Sequence, residues 1–140
     1  MKHLRSILFA ATALLLATAA YAQSTNVTAS VPFDFVVADH AYAAGDYVVK
    51  SIGDSGVPIL IRNTDEAESA IALSNSCSSN KPAATTKLVF HRMAGQYFLY
   101  QIWQEGSTTG REFRTSKTEM QLARNSEKAE TVIVAANLTR

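Results

Sequence analysis

Short runs in which apolar and polar residues alternate recur along the chain from about residue 30 onward, enriched in β-branched and aromatic side chains and separated by Gly, Asn, Asp and Ser clusters. A period of two predicts strands with one face buried. The first run sets Val31, Phe33, Phe35 and Val37 on one face and Pro32 on the other, and a residue with no N–H favours an edge position. Ala44-Gly45-Asp46 then turns the chain. The runs Tyr47 to Ile52 and Val57 to Asn63 flank Gly53-Asp54-Ser55-Gly56, and a four-residue loop there places Val48, Lys50 and Ile52 opposite Ile61, Ile59 and Val57. Ala70 to Ser74 is a shorter run with Ile71 and Leu73 on one side, followed by a Ser-, Asn- and Pro-rich stretch to about Thr86 that reads as a mobile polar loop.

The densest apolar segment is the pair Lys87 to Met93 and Gln96 to Trp103, joined by Ala94-Gly95, where glycine supplies the positive φ of a tight hairpin. That hairpin sets Phe90 against Leu99, Arg92 against Tyr97, Val89 against Tyr100 and His91 against Phe98. Large apolar groups on both faces of Gln96 to Trp103 predict a central strand covered on each side, and the folding core is expected here. After the polar segment Gln104 to Gly110, Ser116-Lys117-Thr118-Glu119 matches a capping box and predicts a helix over Lys117 to Arg124. Its apolar stripe is weak, since Met120 and Leu122 point to opposed sides. Thr131 to Leu138 closes the chain as a strand. The expected fold is mainly β: an antiparallel β-barrel or β-sandwich of about seven strands, with one short helix before the last strand. The runs lack the regular lipid-facing alternation of about ten residues that a membrane barrel needs.

The N-terminus departs from this rhythm. Lys2 and Arg5 precede an uncharged apolar stretch from Ile7 to Ala17 and the small-residue pattern Ala20-Tyr21-Ala22, which is the layout of an export signal cleaved after Ala22. The apolar stretch is about half the roughly 20 residues of a spanning helix, and position 23 is Gln rather than a lipid-accepting cysteine. The expectation is therefore a cleavable signal peptide over 1–22 and a single β-rich domain over 23–140, periplasmic or extracellular, with no membrane anchor after cleavage. Losing Lys2 and Arg5 takes the 13 basic side chains to 11 against 12 acidic ones, so the net charge moves from +1 to −1. That balance gives no electrostatic case for a nucleic-acid partner or an anionic membrane.

Chemistry-bearing residues are few. Cys77 is the one cysteine, so no intramolecular disulfide can form, and its polar neighbours Asn75-Ser76 and Ser78-Ser79-Asn80 place it in an exposed loop. Beyond the export segment the histidines are His40, in a turn, and His91, inside a strand, where packing on Phe98 is the simpler reading. No ligand spacing of the zinc or calcium kind occurs, and Asp65-Glu66 with Glu68 reads as a solvated turn. Gly106-Ser107-Thr108-Thr109-Gly110-Arg111 lacks the Gly-Lys-Ser/Thr end of a phosphate loop. No metal or cofactor is implied. The group Tyr97, Tyr100 and Trp103 with Arg111 and Glu112 remains: aromatic faces near a strand end suit a sugar or another flat ligand, with charged anchors at the rim. The competing reading of those aromatics is core packing.

The segments Val31-Pro32-Phe33-Asp34-Phe35, Ala44-Gly45-Asp46-Tyr47, Gln96-Tyr97-Phe98-Leu99 with Gln101-Ile102-Trp103, and Gly110-Arg111-Glu112 leading to Glu119 resemble a group of small secreted proteins of acidobacterial type. The resemblance implies export, one β-rich domain and a Gram-negative envelope setting, and it brings no catalytic residues, because no activity is established for that group. The functional expectation is a non-enzymatic periplasmic or extracellular binding or interaction module for an envelope ligand or protein. Two alternatives stand beside it: a small envelope hydrolase or isomerase with Arg111, Glu112 and His91 converging on one concave surface, and a structural envelope component pairing through the Pro32 strand.

Overall fold

The computed structural model describes residues 24–125 and 127–139. The expected export signal over 1–22 lies outside the described residues. Among them, eleven strands and one helix follow in chain order: β1 (Asn26–Val31), β2 (Phe35–Val37), β3 (His40–Tyr42), β4 (Gly45–Ser51), β5 (Pro58–Asn63), β6 (Ser69–Ser78), β7 (Lys87–Met93), β8 (Gln96–Trp103), β9 (Thr109–Phe113), α1 (Lys117–Arg124), β10 (Glu130–Ala135) and β11 (Asn137–Leu138). The protein is thus mainly β with one short helix. The strands form one sheet in the order β10-β7-β8-β9-β6-β5-β4-β1-β11, with β2 pairing β3 and, in parallel, β8. The sheet is therefore mixed, and its hydrogen-bonded path stays open, where a closed barrel or a sandwich of about seven antiparallel strands was expected.

The extra strands have local causes. Pro32 cannot donate to a ladder, and the first predicted run breaks there: β1 ends at Val31 and pairs β4 and β11, whereas β2 starts at Phe35 and pairs β3 and β8. Pro32 consequently lies between strands, and β1 is flanked on both sides rather than forming an edge. A two-residue turn at Ala38-Asp39, with φ of 46° and 71°, folds β3 back onto β2. Neither residue is glycine, so the sequence carries no obvious signal for that turn. The last predicted run divides at Ala136, whose N–H donates to Thr86 O at 3.0 Å.

Two registers differ from expectation by one residue. Val49 faces Ile61 and Ser51 faces Ile59, while Val48 faces Arg62 and Lys50 faces Leu60. Because side chains alternate with period two, that step decides which set is inside: Tyr47, Val49 and Ser51 are buried with Ile59, Ile61 and Asn63. In the β7–β8 hairpin Phe90, His91 and Arg92 face Leu99, Phe98 and Tyr97 as expected, but Val89 faces Gln101, not Tyr100. Tyr100 is the extra residue of a β-bulge. The Ala94-Gly95 turn has both residues at positive φ, 50° and 75°. Phe98 and Leu99 are both buried, so β8 is covered on both faces.

One core fills the inner face, drawing Val27 and Val31 from β1, Phe35 from β2, Tyr42 from β3, Tyr47 and Val49 from β4, Ile59 and Ile61 from β5, Phe90 from β7, Leu99 and Ile102 from β8 and Phe113 from β9. Phe35 holds its aromatic centre, stacked on Tyr42 at 5.1 Å and edge-on to Tyr47 and Phe90 at 5.0 and 5.5 Å. Such ring pairs add roughly 0.5–1.5 kcal/mol each beyond their buried area. By contrast, the predicted apolar side of Ile71 and Leu73 faces outward, and Ala72 and Ser74 are the buried residues of β6. β6 also runs on to Ser78, so Cys77 lies in a strand opposite Gly110 rather than in a loop. Beyond it the polar stretch is tied down by Ser79 N–H to Thr108 O, Ala83 N–H to Ser107 O and Glu105 N–H to Thr86 Oγ1.

The helix is held by polar contacts, in keeping with its weak apolar stripe. Ser116 Oγ accepts from Glu119 N–H at 3.0 Å, as the capping motif requires, and Asp39 Oδ1 accepts from Lys117 N–H at 2.7 Å. Glu119 Oε1 lies 2.9 Å from His91 Nδ1 on β7, while Met120 stays exposed.

Within the core, Tyr47 donates its hydroxyl to Ala43 O at 2.6 Å, but the Tyr42 hydroxyl meets no partner among the described protein groups although the residue is only 2% exposed. Burial, and then the charge of Glu68, push the Tyr42 pKa from 10.0 to about 12. The folded state keeps this proton to higher pH than the unfolded chain, so the contribution to stability is full below pH 10 and is lost as pH rises from 10 toward about 12. Tyr42→Phe removes both the orphaned hydroxyl and this titration. Urea unfolding should show a gain of about 1 kcal/mol at neutral pH and a flatter alkaline decline; a clear loss would mean that the hydroxyl has a partner.

Candidate binding site on the outer face of β8 and β9

The bulge decides what β8 presents to the outside. Leu99 and Ile102 point into the core, and the extra residue between them places both Tyr100 and Gln101 on the opposite face, followed by Trp103. The contacts agree: the Tyr100 ring stacks on His91 with centroids 4.1 Å apart, Gln101 Nε2 donates to Glu112 Oε2 at 2.8 Å, and Trp103 Nε1 donates to Gln101 Oε1 at 3.0 Å. Burial, and then the nearby charge of Glu112, push the Tyr100 pKa up. Contacts therefore run across three strands and the helix, with hydrogen bonds linking Glu119 to His91 and Glu112 through Gln101 to Trp103, and the Tyr100 ring stacked on His91. The sheet residues among these are each partly exposed.

Glycine makes room for the tryptophan. A Cβ on Gly110 would stand 2.8 Å from Ile102 O and 2.9 Å from the Trp103 ring, closer than any side chain tolerates, so Trp103 lies flat against bare backbone. One face of each aromatic ring is thus spent, Tyr100 on His91 and Trp103 on Gly110. The amide and carboxylate of Gln101 and Glu112 sit between the two rings.

The other candidate residues lie elsewhere. Arg111 follows the alternation of β9 to the inner face, away from Glu112; its Nε donates to Ser74 Oγ at 3.1 Å and its Nη2 to Gly56 O, tying β9 to β6 and to the loop after β4. His91 and Glu112 share the outer face with Tyr100 between them, but Arg111 does not join them. Tyr97 lies on the core side, stacked on Phe33 at 3.7 Å with Arg92 over its ring at 5.8 Å. It borders a cleft of about 460 Å³, together with Asp34, Tyr42 and Gln96. That cleft offers few convergent polar groups, since Asp34 Oδ1 already accepts from Ala44 N–H at 2.9 Å.

Three members of the outer strip escape sequence reasoning. Glu119 looks like a capping residue, and only the fold brings it to His91. Gln101 is a polar residue in an apolar run, where its place in the alternation depends on a bulge the sequence does not announce. Cys77 enters beside Gly110 and Glu112 because β6 is longer than its apolar pattern. No group of three or more His, Cys, Asp or Glu side chains that could hold a metal occurs among the described residues. No helix among the described residues is long and apolar enough to cross a membrane. No protein family, curated protein or solved structure compared with the chain matches it, so the site is read from its own geometry.

Burial, and then the nearby charge of Glu112, push the Cys77 thiol pKa up, which lowers its reactive thiolate fraction. Alkylation by iodoacetamide at about pH 8 should run several-fold slower than for a free cysteine, and Glu112→Gln should speed it. Equal rates for folded and urea-unfolded protein would show that the thiol is not shielded.

Proposed function

We propose that the chain is an exported, non-enzymatic binding module whose ligand is a sugar chain of the cell envelope, held on the strip formed by Tyr100, Gln101, Trp103 and Glu112. The observation that carries this reading is the pairing of two partly exposed aromatic rings, each backed on one side, with an amide and a carboxylate fixed between them. Sugar rings present apolar C–H faces and a rim of hydroxyls. Backed aromatic rings offer flat surfaces at little entropic cost, and Glu112 and Gln101 accept and donate to hydroxyls in fixed directions. The separation of Arg111 from His91 and Glu112 removes support for the hydrolase or isomerase alternative. Export itself rests on the N-terminal pattern Lys2, Arg5, Ile7 to Ala17 and Ala20-Tyr21-Ala22.

A barrel-like wrap is part of the same proposal. Its support is that the two ends of the strand order, β10 and β11, are successive stretches of chain joined by Ala136, and that one core draws on β1 through β9. A wrap of that kind leaves the convex outer face, where the strip lies, as the natural ligand surface.

Trp103 is the single tryptophan of the chain, so its fluorescence reports on this strip alone. Titration with β-linked oligosaccharides of the bacterial cell wall should quench or blue-shift it with saturation, and Tyr100→Ala or Glu112→Gln should weaken binding about tenfold. Saturable binding that is unchanged in both variants would place the ligand elsewhere, and no spectral response to any cell-wall fragment at about 1 mM would end the sugar reading.

A further inference from the structure

β6 changes partners halfway along its length. Ser74 N–H donates to Val57 O at 2.9 Å and Asn63 N–H to Glu68 O at 3.1 Å, so the even-numbered residues of β6 form the hydrogen-bonded pairs with β5. The odd-numbered residues direct their N–H and C=O the other way, toward the line of β9. Ser79 N–H to Thr108 O at 2.8 Å carries the same pattern on that side. The β6–β9 ladder stops at Ser74 and Phe113, however, because the chain leaves at Arg114 to enter the helix cap at Ser116. The N–H and C=O groups of Ile71 and Leu73 therefore face a gap with no partner among the described residues.

That gap is a cleft of about 300 Å³, with Ile71 and Leu73 on one side and Ala38, Asp39, Arg114 and Thr115 on the other. The side chains of Ile71 and Leu73 are 62% and 59% exposed at its rim. Asp39 is already committed to Lys117 N–H, whereas Arg114 is exposed and meets no anionic partner among the described residues. The cleft thus combines a short open sheet edge, an apolar rim and an uncompensated cation.

We propose that this edge takes up an extended peptide bearing a carboxylate, whose backbone pairs with Ile71 and Leu73 as an added strand and whose carboxylate meets the Arg114 guanidinium. The occupant follows from the complementarity of the site. Donors and acceptors alternating along a sheet edge are matched by another extended backbone and by few other ligands. The two exposed branched side chains suit apolar residues at alternate positions of that backbone, and the guanidinium sets the sign of the charge. The Ala38-Asp39 turn and the entry to α1 bound the slot on the side away from β5. This surface involves none of the aromatic strip, so the two sites stand or fall separately.

The test uses fluorescence anisotropy with a panel of labelled hexapeptides of alternating Val and Thr, each carrying one glutamate or a free C-terminal carboxylate. At least one member should bind with a Kd well below about 1 mM. The same peptide with prolines at its two central positions, which lack the N–H a ladder needs, should lose about tenfold or more. Arg114→Glu should cost a similar factor, while Tyr100→Ala should leave binding unchanged. Absence of binding across the panel, equal binding of the proline peptide, or indifference to Arg114→Glu would each overturn the proposal. A concentration-dependent dimer in sedimentation, abolished by Ile71→Lys, would also overturn it by showing that a second copy occupies the edge.

Discussion

A strand shows two successive side chains to one face only where an extra residue is inserted in its ladder, and in β8 that residue is Tyr100. Without it, strict alternation would carry Gln101 to the inner face and Ile102 outward, removing a core residue and burying an amide. With it, Leu99 and Ile102 both reach the core while Tyr100, Gln101 and Trp103 reach the outside. The same insertion lets Glu112 on the neighbouring strand accept from Gln101 Nε2 on the face that Tyr100 shares. The apolar centre and the polar surface therefore share one backbone irregularity.

Other parts of the molecule are fastened around that strand by polar groups. Arg111 reaches across the inner side to Ser74 and Gly56, joining three segments far apart in sequence. The helix has little apolar surface to bury and depends on Ser116, Asp39 and the His91–Glu119 contact. Hydrogen bonds to charged groups contribute about 1.5–3 kcal/mol each when partly buried, which is enough to seat a two-turn helix that would not persist alone. By comparison, the exposed Arg92–Glu130 pair at 3.4 Å adds little.

Much of the fold was legible in the chain. The β7–β8 hairpin, its turn at Ala94-Gly95 and the bounds of α1 follow from period-two patterning, a glycine and a capping motif, all of them local signals. Misreadings arose where tertiary context overrode local pattern. Ile71 and Leu73 look like a core pair, yet the small Ala72 and Ser74 are inside, Ala72 opposite the buried Ile59 and Ser74 accepting from Arg111 Nε. The β4–β5 register moved by one because Tyr47 and Asn63, both amphipathic, could have faced either way until the rest of the core chose. Ala38 and Asp39 adopt a left-handed turn without glycine, and Asp39 is repaid by capping α1. Of the candidate site residues, Tyr100, Trp103 and Glu112 come together, whereas plain alternation sends Tyr97 and Arg111 to the inner face; that Trp103 shares a face with Tyr100 depends on the bulge.

The placement of Gln101 and Trp103 on the same face as Tyr100 is accordingly the point on which the account turns, and side-chain proton contacts in solution measure it directly. Nuclear Overhauser spectra of the folded protein should connect the Tyr100 ring to the His91 ring and the Gln101 side-chain amide to Trp103 Hε1, with no contacts from Gln101 or Trp103 to Phe35 or Phe90. Contacts from the Gln101 side chain or the Trp103 ring to Phe35 or Phe90, with Ile102 turned outward, would show strict alternation along β8, remove the bulge, and with it the outer strip.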